Sequence, residues 1–282
     1  MNTPTITDPW RLKSDLSLRR WLFEDEVFAH PAKMHLGLMQ RLVDMYSAPG
    51  DTLFDPMAGT GSLLYAATLG RHVVLRELEP DYLSLIQLSL PKMCEAAGYL
   101  LGKINVGWGD ARLPFNVKCD HILFSPPYGF ETKGGDNTEA LRRRAERLAQ
   151  NVGTSRRWQK YINEPTHGSF ANGFRYPSGQ SNTGNKSGRN YWKDMRLIYT
   201  NCLNVLPPAG LMIVVLKNSY RRGKLNDVTG QTIREVDALG GVLIARHGRL
   251  IDKPSIWVRR RREKGLPIID VEDVLVFRKG TN

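Results

Sequence analysis

Apolar positions along the chain alternate between a helical and a strand rhythm. In "LGLMQRLVDMYS" (36–47), Leu38, Met39, Leu42, Met45 and Tyr46 recur at helical spacing, and "APGD" closes the helix. "TLFDP" (52–56) predicts a short buried strand, followed by "MAGTGS" and the helical "LLYAATLG". "HVVLRELEP" (72–80) predicts a second strand, "DYLSLIQLSL" a second helix, "INVGWGDAR" (104–112) a third strand end and "HILF" a fourth. Further on, "YWKDMRLIYTNCLNVL" predicts a helix, "PPAG" a turn and "LMIVVL" (211–216) a strand. "GQTIREVDALGG" (helix), "VLIARHG" (strand) and "DVLVF" (273–277, strand) complete the pattern. Strand, glycine turn, helix, strand is the unit of a doubly wound, mostly parallel α/β sheet.

The rhythm fails between 131 and 190, where Gly, Asn, Ser and Arg dominate and only "TEALRRRAERLAQ" has a helical pattern. Because the α/β pattern resumes afterwards, residues 131–190 are expected to be an insertion within one domain spanning 1–282. Its poverty in apolar residues predicts mobility until a partner binds. The length is sufficient for a sizeable core. Charge narrows the function: 40 Lys+Arg against 28 Asp+Glu leave a net +12. Such a balance points to a polyanionic partner, nucleic acid before membrane. No apolar run reaches the ~18 residues of a membrane span, and "MNTPTITDPW" lacks a signal peptide's apolar core. The three cysteines (Cys94, Cys119, Cys202) have no CxxC spacing, so neither a disulfide framework nor a zinc site is indicated. A cytoplasmic protein is expected.

Candidate chemistry gathers at the expected strand ends. In "CDHILFSPPYGFE" the strand must stop at Ser125, since neither Pro126 nor Pro127 has an N–H for a ladder. Ser125 then presents a hydroxyl, Pro126 a carbonyl and Tyr128 a flat ring, at the edge where open α/β sheets bind ligands. Gly59 and Gly61, between a strand and a helix, let a ligand approach the backbone. Glu77 ends the next strand, where it can accept hydrogen bonds from a ribose, and Asp110 ends the third, placed for an adenine amino group. Acceptors at three successive strand ends describe a nucleoside pocket.

These residues resemble the S-adenosylmethionine-dependent DNA amino-methyltransferases that modify cytosine N4 or adenine N6. "SPPY" is similar to their catalytic Ser/Asp/Asn-Pro-Pro-Tyr, and "DPMAGTGS" to their cofactor loop, with Met57 where Phe is usual. "HPAKMH" (30–35) is similar to the segment that closes over the methionine end, while "ELEPDY" and "GDAR" match the next two elements. "EDVLVFRK" resembles the family's final antiparallel hairpin. The resemblance implies a Rossmann-like sheet with an antiparallel C-terminal strand. It implies S-adenosylmethionine held by His30, Pro31, Lys33, Asp55, Pro56, Met57, Gly59, Gly61, Glu77, Asp110 and Ala111. Catalysis falls to Ser125, Pro126, Pro127 and Tyr128, and no metal is implied. Ser at the first tetrapeptide position favours cytosine N4 over adenine N6.

DNA is the implied partner, with a restriction nuclease as a candidate companion. "LRRRAERLAQ", "SRRW", "RRGK" and "VRRRREKG" are candidate phosphate contacts, with Trp158, Tyr161, Phe170, Phe174 and Tyr176 between them. Two other classes fit parts of the pattern. RNA amino-methyltransferases often carry Asp-Pro-Pro-Tyr-Gly, which Gly129 matches and Ser125 does not. A non-catalytic nucleic-acid binder could keep the fold, against which the intact motifs argue. His30 has a second reading as a helix cap or core residue.

Overall fold

Alternation along the strands sorts the core onto the two faces of one sheet. Leu53, Leu123, Ile213, Val215, Val274 and Val276 join one apolar cluster. Their neighbours Phe54, Ile122, Phe124, Met212, Val214, Leu216, Leu275 and Phe277 join the other. Such period-two sorting is what a pleated strand covered on both faces requires. The computed structural model describes residues 6, 8–29, 33–98, 102–127, 182–221, 224–251 and 256–280. The expected helix in "TEALRRRAERLAQ", Tyr128, His30, Pro31, the runs in 141–158 and the aromatics at 158–176 lie outside them.

The seven-stranded sheet comprises β1 (Thr52–Asp55), β2 (His72–Glu77), β3 (Ile104–Trp108), β4 (His121–Phe124), β5 (Leu211–Leu216), β8 (Gly241–Leu250) and β9 (Val271–Lys279). Their order is β3-β2-β1-β4-β5-β9-β8. The first five strands pair in parallel, and β9 runs antiparallel to both β5 and β8. This is the expected doubly wound sheet with its antiparallel final strand. A small antiparallel hairpin, β6 (Ser219–Arg221) with β7 (Lys224–Asn226), follows β5.

Helices α1 (Leu16–Leu22), α2 (Leu36–Tyr46), α3 (Tyr65–Thr68) and α4 (Pro80–Ala97) pack with the first cluster. Helices α5 (Gly188–Val205) and α6 (Val228–Asp237) pack with the second. The basic run near the end forms part of α7 (Ile256–Glu263). Local chemistry accounts for the boundaries. Pro80 begins α4, where its missing N–H costs nothing, and Gly98 ends it at φ 72°. Strand β4 stops at Phe124, as the two prolines demand. Residues 182–190, at the end of the expected insertion, form a 3-10 turn and the first residues of α5; Asn182 and Thr183 are buried. Among the described residues no helix is long and apolar enough to cross a membrane.

Candidate active site

The carboxyl ends of β1, β2, β3 and β4 lie side by side, because these strands pair in parallel. Beyond β1 the chain turns through Pro56–Gly61 into a 3-10 turn, Ser62–Leu64. Gly59 and Gly61 take positive φ, 54° and 79°, a region costly for other residues. A Cβ on Gly61 would also come within 2.9 Å of Ile86. The loop is held from the next strand: Glu77 Oε2 accepts from the Gly59 N–H at 2.6 Å, and Oε1 from the Glu79 N–H at 2.9 Å. Asp55 Oδ1 accepts from the Met57 N–H at 2.9 Å.

Both acids are buried. Burial pushes Asp55 up to about 8, opposed by the Met57 N–H and reinforced by Glu77. Burial likewise pushes Glu77 up to about 7, against its bonds from the Glu79 and Gly59 N–H groups. Glu77 therefore has a structural role the sequence did not reveal: it fixes the glycine loop. Each carboxylate oxygen still has a second lone pair for a hydroxyl. Met57 packs toward the α5-side core, and Ala111 is buried in it.

At the end of β3, Trp108 is 59% exposed and donates from Nε1 to the Leu78 carbonyl at 3.1 Å. Asp110 is clasped by Arg112, whose Nε and Nη2 reach its two oxygens at 2.9 and 2.5 Å. Burial works to raise this carboxyl, but Arg112 holds it below its ordinary range. Arg112 also reaches Asp194 at 3.5 Å. Asp194, on α5, accepts from Thr183 Oγ1 at 2.9 Å and from Lys186 Nζ at 2.6 Å. Asn182 Nδ2 donates to Glu79 Oε1 at 2.5 Å. A polar chain thus runs from the β2 and β3 ends to the first turns of α5. None of its members in 182–194 was anticipated, because these contacts join residues 82 and 103 positions apart.

Ser125, Pro126 and Pro127 follow β4 directly, with Pro126 buried and Ser125 partly exposed. The Tyr191 hydroxyl donates to the Pro127 carbonyl at 2.6 Å. On the other face of the sheet, Arg19 on α1 is buried and gathers the segment before the glycine loop. Its guanidinium donates to Asp15 at 3.0 Å, to the Met34 carbonyl at 2.6 Å and to Ser62 Oγ at 3.3 Å. Lys33 Nζ donates to the Phe28 carbonyl at 3.2 Å. Burial pushes Lys33 down to about 8, with Arg19 adding and Asp15 opposing. The helix-capping histidine of this stretch is His35, whose Nδ1 accepts from the Gly37 and Leu38 N–H groups at 3.1 and 3.3 Å.

Residues 2–88 match the family model described as DNA methylase, the N6/N4 amino-methyltransferase type. The matched part, about a third of the chain, is thus similar to the DNA methylases. The match spans α1, α2, the glycine loop and β2, and so takes in the His-Pro and cofactor-loop motifs but not Ser-Pro-Pro-Tyr, "GDAR" or the C-terminal hairpin. One solved structure supports the fold, and others are less similar. A candidate RNA methyltransferase from Pyrococcus horikoshii aligns at 13% identity over 94% of this chain and 96% of that one, with a TM-score of 0.50. TrmN from Thermus thermophilus aligns at 18% identity over 93% of this chain, with a TM-score of 0.46. This chain covers only 52% of TrmN, about half its length. A TehB-like S-adenosylmethionine-dependent methyltransferase from Corynebacterium glutamicum aligns at 13% identity over 94% and 97%, with a TM-score of 0.46. The sheet has the Rossmann-like fold of a methyltransferase, and S-adenosylmethionine is the cofactor that the sequence motifs imply. The residues present suit that cofactor: two carboxyl groups and an exposed indole at adjacent strand ends match a diol, an amine and a flat base.

Proposed function

We propose that this methylase transfers a methyl group from S-adenosylmethionine to the exocyclic amine of a base extruded from DNA, with cytosine N4 as the target. The observation that carries the reading is the Ser125–Pro126–Pro127 turn at the end of β4, beside the strand that feeds the glycine loop. When bound, the cofactor supplies an electrophilic methyl group. Glu77, anchored by Gly59, offers its remaining lone pairs to the ribose, and Asp110, held by Arg112, offers one to the adenine amine. Asp55, Pro56, Met57, Gly61 and Ala111 shape the loop and wall around it. His30, Pro31 and Lys33 close the methionine end.

An exocyclic amine is a poor nucleophile because its lone pair is delocalised into the ring. Ser125 Oγ and the Pro126 carbonyl accept the two amine hydrogens, drawing the nitrogen toward sp³ geometry and freeing the lone pair. Acceptors fixed before the substrate arrives need no reorganisation at the moment of reaction. Alignment then matters more than a strong base. Extruding the base costs a few kcal/mol, of which stacking on Tyr128 offsets ~1–3 kcal/mol. Ser125 both donates and accepts, so it can also bond cytosine N3, which an ionised Asp cannot.

Basic surface supports a nucleic-acid substrate: Arg259 and Arg260 on α7 are exposed, while Arg261 stacks 4.6 Å over Tyr220 of the β6–β7 hairpin. The same reading implies a cytoplasmic enzyme, with a restriction nuclease as its candidate companion. Mass spectrometry of nucleosides from DNA and RNA incubated with enzyme and labelled cofactor tests it. N4-methylcytosine in DNA is expected. N6-methyladenine alone overturns the base, and methyl groups in RNA alone overturn the substrate. No transfer at all, with cofactor still bound, leaves a nucleic-acid binder.

A further inference from the structure

We infer that Tyr191 is the positioning residue of the Ser125–Pro126–Pro127 turn, an inference that rests on the catalytic role proposed for that turn. The rings fix φ of Pro126 and Pro127 near −65°. A following proline restricts ψ of Ser125 and of Pro126 to the extended region. Past φ of Ser125, where the chain leaves β4, one backbone torsion is left soft, ψ of Pro127. It sets the direction of the Pro127 carbonyl and the course of the chain into Tyr128.

The Tyr191 hydroxyl donates to that carbonyl at 2.6 Å and so closes the remaining freedom. Tyr191 is itself immobilised. It is 1% exposed, lies in the first turn of α5 and packs edge-on against Trp192 at 5.0 Å. The same helix is tied to the cofactor side through Asp194, Lys186 and Arg112. The hydroxyl therefore sets the acceptors of the turn relative to the strand ends that bear Glu77 and Asp110. Its role is to hold geometry for methyl transfer, not to take part in it.

Tyr199 provides the matched control. It lies on the same helix, is 0% exposed, and its hydroxyl shares a 3.1 Å hydrogen bond with Thr232 Oγ1 on α6. Tyr191→Phe and Tyr199→Phe each delete one buried hydroxyl and should lower the urea midpoint comparably. Single-turnover transfer with saturating cofactor should slow about tenfold in Tyr191→Phe, the cost of one well-placed hydrogen bond and its orphaned carbonyl, and stay near wild type in Tyr199→Phe. The cofactor dissociation constant should be unchanged in both. Equal rates in the two variants, or a slowing of Tyr191→Phe matched by lost cofactor affinity, would overturn the inference. Absence of transfer by the wild-type chain would instead bring down the proposed function, and this inference with it.

Discussion

Replacing Asp55 by Asn tests how the cofactor loop is built. The carboxyl is 5% exposed and accepts from the Met57 N–H. Burial raises its pKa from 3.8 to about 8. The folded value lies above the unfolded one, so between these limits the folded chain keeps a proton that the unfolded chain releases. The contribution of this site to stability is thus complete below about pH 4 and falls as the pH rises, levelling off above about pH 8. A displacement of about 4 pK units, at ~1.4 kcal/mol each, sets a ceiling of about 5–6 kcal/mol. Relaxation and water entry reduce such penalties in real interiors, so roughly 2–3 kcal/mol is expected across the range. In Asp55→Asn the amide oxygen keeps the Met57 bond and no charge can form. The new N–H₂ group adds an offset that does not vary with pH. Urea denaturation at about pH 5, 6, 7 and 8 should therefore show the variant gaining steadily on wild type. Parallel pH profiles, or an advantage that shrinks as pH rises, would refute the reasoning.

Three further outcomes follow from the same site. Glu77→Ala should weaken S-adenosylmethionine binding by roughly 1.5–3 kcal/mol, the range for a charged acceptor, and calorimetry finding unchanged affinity would remove its ribose role. Ser125→Ala should slow single-turnover transfer by about a hundredfold while leaving cofactor affinity intact, since it deletes an acceptor aimed at the reacting amine; an unchanged rate would exclude it from catalysis. Asp194→Asn should cost about 1–3 kcal/mol in urea melts by leaving Arg112 and Lys186 without their shared anion, and a neutral result would mean the network contributes nothing.

Much of the fold was legible because it rests on local patterns. The alternating strands, the glycine loop after β1 and the stop of β4 just before Ser125 each follow from residues within a few positions. Glu77 and Asp110 were legible as strand-end acids, but their bonds to Gly59 and Arg112 in the free chain were not. Helix α1 was missed because "LSLRRWL" is short and its buried anchor is Arg19, a residue ordinarily exposed. Helix α7 was hidden by its charge: "VRRRREKG" was legible only as candidate phosphate contacts, yet Arg261 and Arg262 are tied to Pro267 and Asp270. The cluster of Asn182, Thr183, Lys186 and Asp194 carries no apolar period at all, and its partners come from the opposite half of the chain. Only packing brings such residues together.

The place of β9 between β5 and β8 makes the order of synthesis matter. Strands β1 to β5 can pair with one another as they emerge from the ribosome. Strand β8 cannot join them, because its ladder is with β9, and its one other backbone pairing among the described residues is a bridge from Trp10 to Arg249. Until residues 271–279 arrive, β5 has an open edge on one side and β8 has only the Trp10 bridge beside it. Unpaired edges of this kind template association with other chains. The nascent chain must therefore pass through an interval in which its second half is sticky and its sheet divided. Losing only those nine residues would cost the sheet two strands rather than one, because β8 is joined to it through β9.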